Sequence, residues 1–129
     1  GGIGWLLMCL ERFDRSHATH MEYHLRDEDM PGPQIGEAPS DYIQRQINAD
    51  RLFIGCEGEE PALAYAVSLV GPKPFVFSTD FPHEVTAESC REEIQELLDN
   101  EILTDDDKSA ILHENSVRLY SLKQSSQTA

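Results

Sequence analysis

Two short apolar runs constrain this chain more than anything else in it. Residues 52–56 (LFIGC) and 75–78 (FVFS) are compact, rich in aromatic and branched side chains, and separated by a helix-length apolar stretch at 62–70 (ALAYAVSLV). A continuously apolar run of four or five residues is the pattern of a strand buried on both faces. Pro61 is tolerated in a helix's first turn, and Gly71-Pro72 stops one, so the intervening stretch predicts a helix. Strand, helix and strand in that order predict a β/α unit on a parallel sheet, an α/β fold. Two strands are too few for a closed barrel and make a poor free-standing sheet, so the expectation is a piece of a larger one.

The remaining elements are helical. Residues 5–13 (WLLMCLERF) predict a helix under the turn Gly1-Gly2-Ile3-Gly4, and residues 14–34, closed by Pro31-Gly32-Pro33, read as a loop. Pro39-Ser40-Asp41 offers an N-cap before a helix of about two turns. Residues 88–98 form an amphipathic helix with Ile94, Leu97 and Leu98 on one side. Thr104 and the three aspartates after it cap a last helix, whose apolar set is Ile111, Leu112, Val117 and Leu119. Residues 123–129 are a polar tail. The chain opens without Met inside the Gly-rich turn, as expected if a strand precedes it.

Charge narrows the function. Ten Lys and Arg stand against 24 Asp and Glu, a formal net charge of −14. Such a chain is repelled by phosphate backbones and anionic membranes, so neither nucleic acid nor membrane is an expected partner. No apolar run approaches the roughly 20 residues of a membrane span. Three scattered cysteines (Cys9, Cys56, Cys90) with no CxxC pair suit a reducing cytoplasm. Cys9 and Cys90 read as small core residues, and Cys56 has no histidine close in sequence to activate it.

The leading site candidate is Asp80. It follows the second strand at its C-terminal end, where ligands collect in parallel α/β folds. A carboxylate there can bind a divalent metal or accept a proton from water; an Asx turn or a helix cap is the alternative role. His83 shares the rim, as pocket residue or as loop histidine. Glu57, after the other strand, lines the same mouth or belongs to a solvated acidic loop at 57–60. Trp5 faces the pocket or packs in the core. His17, His20 and His24 have helical spacings but sit in a loop-like segment, and a surface cluster is favoured over a zinc site. The acidic run from 84 to 107 reads as a solvated helix face.

Taken together, these motifs are familiar. Gly2-Ile3-Gly4-Trp5, Pro39-Ser40-Asp41-Tyr42, Thr79-Asp80-Phe81-Pro82-His83 and Glu114-Asn115-Ser116-Val117-Arg118-Leu119-Tyr120 occur in that order. Over residues 1–122 the chain resembles the C-terminal part of amidohydrolase-related metal-dependent hydrolases, the group that includes the aminocarboxymuconate-semialdehyde decarboxylase-like enzymes. The resemblance implies the last two strands, with their helices, of a (β/α)8 TIM barrel. It implies that Asp80 is both metal ligand and catalytic proton acceptor, that His83 and Trp5 contact the substrate, and that the metal is a divalent ion, zinc by preference. A whole barrel of this kind needs about 250 residues, so the other ligands are expected outside this chain, which alone would be inactive. The parent would hydrolyse or decarboxylate a small carboxylic or cyclic substrate, and homo-oligomerisation is implied by resemblance only. The contrasting expectation is a non-catalytic acidic α/β domain that binds a partner protein.

Overall fold

In the computed structural model, residues 2–20, 36–83 and 85–122 are described. The order is α1 (Gly4–His20), α2 (Pro39–Asn48), β1 (Ile54–Cys56), α3 (Leu63–Val70), β2 (Phe75–Phe77) and α4 (Ala87–Asp99). A last helical stretch follows without a break: α5 (Asp105–Ser109), a π-turn (Ala110–Glu114) and α6 (Asn115–Leu119). The strands pair in parallel, with Ile54 opposite Phe75, Gly55 opposite Val76 and Cys56 opposite Phe77. The expected strand–helix–strand unit is therefore present. Among the described residues no helix is long and apolar enough to cross a membrane. The loop expected at 14–34 lies mostly outside the described residues, as do Pro31-Gly32-Pro33, His24 and the 123–129 tail.

One apolar cluster holds these elements together. Ile3 and Leu6 of the first turn, Ile47, Ile54 and Cys56, the inner face of α3 (Leu63, Ala64, Ala66, Val67 and Val70), Phe75, Leu97, Leu103 and Ile111 all contribute. Phe75, at the start of β2, is completely buried. Both strands turn one face into this cluster: Ile54 and Cys56 are buried and Gly55 between them is exposed. The double burial expected from the continuous apolar runs is thus realised on one face only.

Local sequence explains the helix boundaries, with several corrections. Helix α1 runs to His20 rather than stopping near residue 13. Pro39 occupies the first turn of α2, but the cap is tertiary. Asp14 of α1 accepts hydrogen bonds from the Ser40 backbone N–H at 2.8 Å and the Ser40 hydroxyl at 2.6 Å, whereas the Ala38 cap position offers no side-chain acceptor. Thr86 with Ser89, and Thr104 with Asp107, form capping boxes at α4 and α5. Leu97 is buried as expected, but Leu98 is 43% exposed, because a helix 100° per residue apart cannot turn both inward against one neighbour. Leu119 is 39% exposed, and Cys9 and Cys90 are only half-buried.

The closing motif of the chain is a staple. The π-turn, in which the Asn115 N–H reaches back five residues to the Ala110 carbonyl, brings Asn115 into the core as a fully buried polar side chain. Its Nδ2 donates to the carbonyls of Pro72 (2.9 Å) and Phe75 (2.6 Å). Its Oδ1 accepts from Arg118 Nη2 at 2.9 Å, and the same guanidinium donates to the Lys73 carbonyl at 2.7 Å. Arg118 also pairs with Asp50 and lies over the Phe53 ring. These bonds satisfy the turn entering β2 and pin it to α6. Replacing Asn115 by Ala removes both donors from buried carbonyls, and unfolding in urea should show a loss of about 2–4 kcal/mol. A variant within about 0.5 kcal/mol of the parent would contradict the staple.

Candidate functional site

The C-terminal ends of the two strands meet at a small cavity of about 130 Å³, lined by Gly55, Cys56, Glu57, Ser78 and Asp80. The ladder leads straight into it, since the Ser78 N–H donates to the Cys56 carbonyl at 2.9 Å, one residue beyond the paired strands. Asp80 follows with φ of +56°, in the left-handed region that aspartate tolerates better than most residues. The backbone then turns back on itself, with the His83 N–H donating to the Asp80 carbonyl at 3.0 Å. The Thr79 hydroxyl accepts from Phe81 N–H at 3.4 Å, and the Phe81-Pro82 peptide is cis. A non-glycine residue held at positive φ at a strand end is the kind of sparsely populated backbone conformation that gathers at functional sites.

Glu57 lies half-buried in the cavity wall beside Asp80, so of its two sequence readings the shared mouth is the one the structure shows. The loop at 57–60 is not simply solvated. Gly58 is buried so closely against α4 that a Cβ there would sit 1.9 Å from the Glu93 carbonyl oxygen. Glu60 turns back under the rim, accepting from the Glu57 N–H through Oε1 (3.1 Å) and from the Ile3 N–H through Oε2 (2.6 Å). The Gly2–Trp5 turn, at the start of α1, is thereby held against the exit of β1. Sequence reasoning missed Glu60: its partner Ile3 is 57 residues away, and no local pattern announces such a bond.

His83 and Trp5 are both exposed, Trp5 at 46%, and neither lines the cavity; His83 is adjacent to Asp80 through the turn, Trp5 through the Glu60 bridge. His17 and His20 lie on α1, with His20 Nδ1 at 3.1 Å from the Ser16 carbonyl. Among the described residues no three His, Cys, Asp or Glu side chains converge as a metal requires. Asp80 offers one donor, whereas a catalytic metal takes about three from protein. The described residues therefore do not by themselves make up a metal centre.

The rim is electrostatically severe. Burial, then the nearby Glu60 and Glu57, push the Cys56 thiol up to about 12. Glu93 on α4, read from sequence as part of a solvated face, instead has a buried Oε2. Its carboxyl is pushed up first by burial, then by Glu57, Glu59 and Glu96, against a Gly58 backbone hydrogen bond that lowers it.

Two outcomes follow from these shifts. Cys56 stays protonated in the folded state until pH approaches about 12, so at pH 8 under native conditions it should alkylate slowest of the three thiols. Mass spectrometry after iodoacetamide checks this, and Cys56 labelling ahead of Cys9 and Cys90 would contradict it. Glu93, raised in the folded state, carries a penalty that is present when the carboxylate is ionised and disappears as pH falls below the ordinary carboxylate range. Glu93→Gln should be the more stable protein at pH 7, and its advantage should vanish near pH 4. Thermal unfolding across that window, with no change in the difference, would contradict the assignment.

A search of curated proteins finds no match to this chain. A scan of protein-family models matches the family described as Amidohydrolase over residues 17–122. That span takes in α2, both strands, the cavity lining and the Asn115 staple, and leaves out the Gly2–Trp5 turn. The family is one of hydrolases, and its superfamily typically works with divalent metals. With most of its length matched, the chain belongs to the amidohydrolase family.

Proposed function

We propose that this chain is the C-terminal part of a (β/α)8 barrel enzyme of the aminocarboxymuconate-semialdehyde decarboxylase-like group, in which Asp80 is the catalytic carboxylate. The observation that carries the reading is the placement of Asp80 and Glu57 around one cavity at the C-terminal ends of two parallel strands, within a chain of amidohydrolase family. In barrels the chemistry sits at that end. The open face of the sheet, with Gly55 exposed and Val76 half-buried, supports a place in a barrel wall, where it would look toward the lumen. A parallel sheet of two strands with exposed edges gains stability by joining further strands.

In this reading Asp80 contributes one oxygen donor to a divalent cation, zinc by preference, whose other protein donors come from elsewhere in the full-length enzyme. Such a cation, when bound, supplies the Lewis acidity that makes a water a nucleophile near neutral pH. Asp80 takes up the proton of the attacking water and returns it to the leaving group. Its left-handed backbone and the Asp80–His83 turn hold the carboxyl at the rim. His83 and Trp5, both exposed and outside the cavity lining, contact the substrate beyond its wall. The substrate is a small carboxylic or cyclic compound, cleaved at a C–N or C–O bond or decarboxylated. The scattered cysteines without a CxxC pair support a cytoplasmic enzyme, and a homo-oligomer is implied by the family resemblance alone.

The test is turnover by the full-length protein on a panel of small carboxylic acids, amides and lactones, with and without Asp80→Asn. Asparagine tolerates the left-handed backbone as well as aspartate does, so the fold should be unchanged by circular dichroism. The expected loss in kcat is about 10²–10⁴-fold, the contribution of a positioned acid–base group. Turnover retained within about tenfold would contradict the role of Asp80. No turnover and no metal uptake in the full-length parent would favour the non-catalytic partner-binding domain.

A further inference from the structure

Three chain segments are linked here: the Gly2–Trp5 turn at the start of α1, which does not line the cavity, and the 57–60 loop after β1 and the turn from Ser78 to His83 after β2, which contribute Glu57, Ser78 and Asp80 to its wall. The last two are joined by the strand ladder, through the Ser78 N–H to the Cys56 carbonyl. The first is joined to the second by one side chain. Glu60 uses its two carboxylate oxygens on two backbone N–H groups that are 54 positions apart in the chain, Ile3 at 2.6 Å and Glu57 at 3.1 Å.

The physical logic of that bridge is specific. The Ile3 N–H belongs to the opening of α1, where the first amides have no partner within the helix and the helix dipole favours a negative charge. A carboxylate there makes a charge-assisted bond, shorter and stronger than a neutral one. Ile3 and Leu6 are fully buried, so the turn is fixed from below by the core and from above by Glu60. The other oxygen holds the amide of Glu57, the residue that shares the cavity wall with Asp80. The carboxylate itself is not among the cavity-lining groups, so it acts on the site through what it holds.

We infer that Glu60 is a positioning residue, whose carboxylate fixes the spacing between the Trp5-bearing turn of α1 and the Glu57 wall of the Asp80 mouth. This inference rests on the proposed role of Asp80 and extends it to a residue that touches neither substrate nor metal. Loss of the bridge frees the Gly2–Trp5 turn and the 57–60 loop relative to each other while leaving the strand ladder and the Asn115 staple intact.

The experiment compares the full-length protein with Glu60→Ala, Glu60→Gln and Asp80→Asn by amide hydrogen exchange, the Trp5 indole N–H resonance, and titration with Mn²⁺. In Glu60→Ala, the Ile3 and Glu57 amides should exchange about tenfold faster or more, with Leu97 and Ile111 in the core unchanged. The Trp5 resonance should shift, and Mn²⁺ binding should weaken about fivefold or more, since the Glu57 wall that shares the mouth with Asp80 loses the contact that orients it. Glu60→Gln keeps the side-chain length and one carbonyl acceptor, so one of the two amides should stay protected; it also serves if the alanine variant fails to fold. Asp80→Asn should weaken Mn²⁺ binding without touching either amide. Unchanged exchange at Ile3 and Glu57 overturns the bridge. Faster exchange with the Trp5 resonance and Mn²⁺ affinity unmoved overturns the positioning role. Mn²⁺ affinity insensitive to Asp80→Asn overturns the site itself, and with it the part of Glu60 in that site, a failure told apart from the others by which variant shows it.

Discussion

The hydrogen bonds from Asn115 to the carbonyls of Pro72 and Phe75 decide where β2 begins, and the site depends on where β2 ends. The strand is three residues long, so there is little ladder to correct a slip. A one-residue shift in register would exchange the faces of Phe75 and Val76 and carry Asp80 off the mouth it shares with Glu57. The core cannot allow this, because Phe75 is completely buried between the strands and the π-turn. A buried amide that satisfies two carbonyls at one end of the sheet thus sets the position of a carboxylate at the other.

This divides the molecule by role. The polar groups at the entrance to β2, namely Asn115, Arg118, Lys73 and Asp50, are bonded to each other or to backbone and hold the fold. Those at the exit, Glu57, Asp80 and His83, surround or flank a cavity. Glu60 belongs to the exit but works like the entrance groups, with its oxygens spent on backbone amides. The division matches the general rule for β/α barrels, in which the N-terminal ends of the strands serve stability and the C-terminal ends serve chemistry. Cys56 fits this division: it sits in the cavity wall, but its thiol, pushed up to about 12, is held as a neutral packing group.

Much of this was legible in the sequence, for identifiable reasons. The two strands and α3 announce themselves by apolar runs bounded by Pro, Gly and charge. Asp80 stands out as a poor strand former at the end of one. The helix caps at Thr86 and Thr104 depend on residues three apart, but the cap of α2 depends on Asp14, 26 residues away from Ser40, and no local pattern encodes it. The same holds for Glu60 and Ile3. The closing Glu-Asn-x-x-Arg motif was visible as a family mark, but its work is done by a buried side chain that only the π-turn directs inward. Glu93 was read as solvated because its neighbours are acidic; the close approach of Gly58 to α4 is what buries its oxygen.

Anomalous diffraction from crystals of the proposed whole enzyme, grown with Mn²⁺, tests the central claim most directly. The account predicts a peak bonded to the Asp80 carboxylate, at about 2.0–2.3 Å, over the C-terminal ends of β1 and β2. A well-occupied peak at the Asn115 end of the strands, or at the mouth with Asp80 turned away from it, would contradict the account.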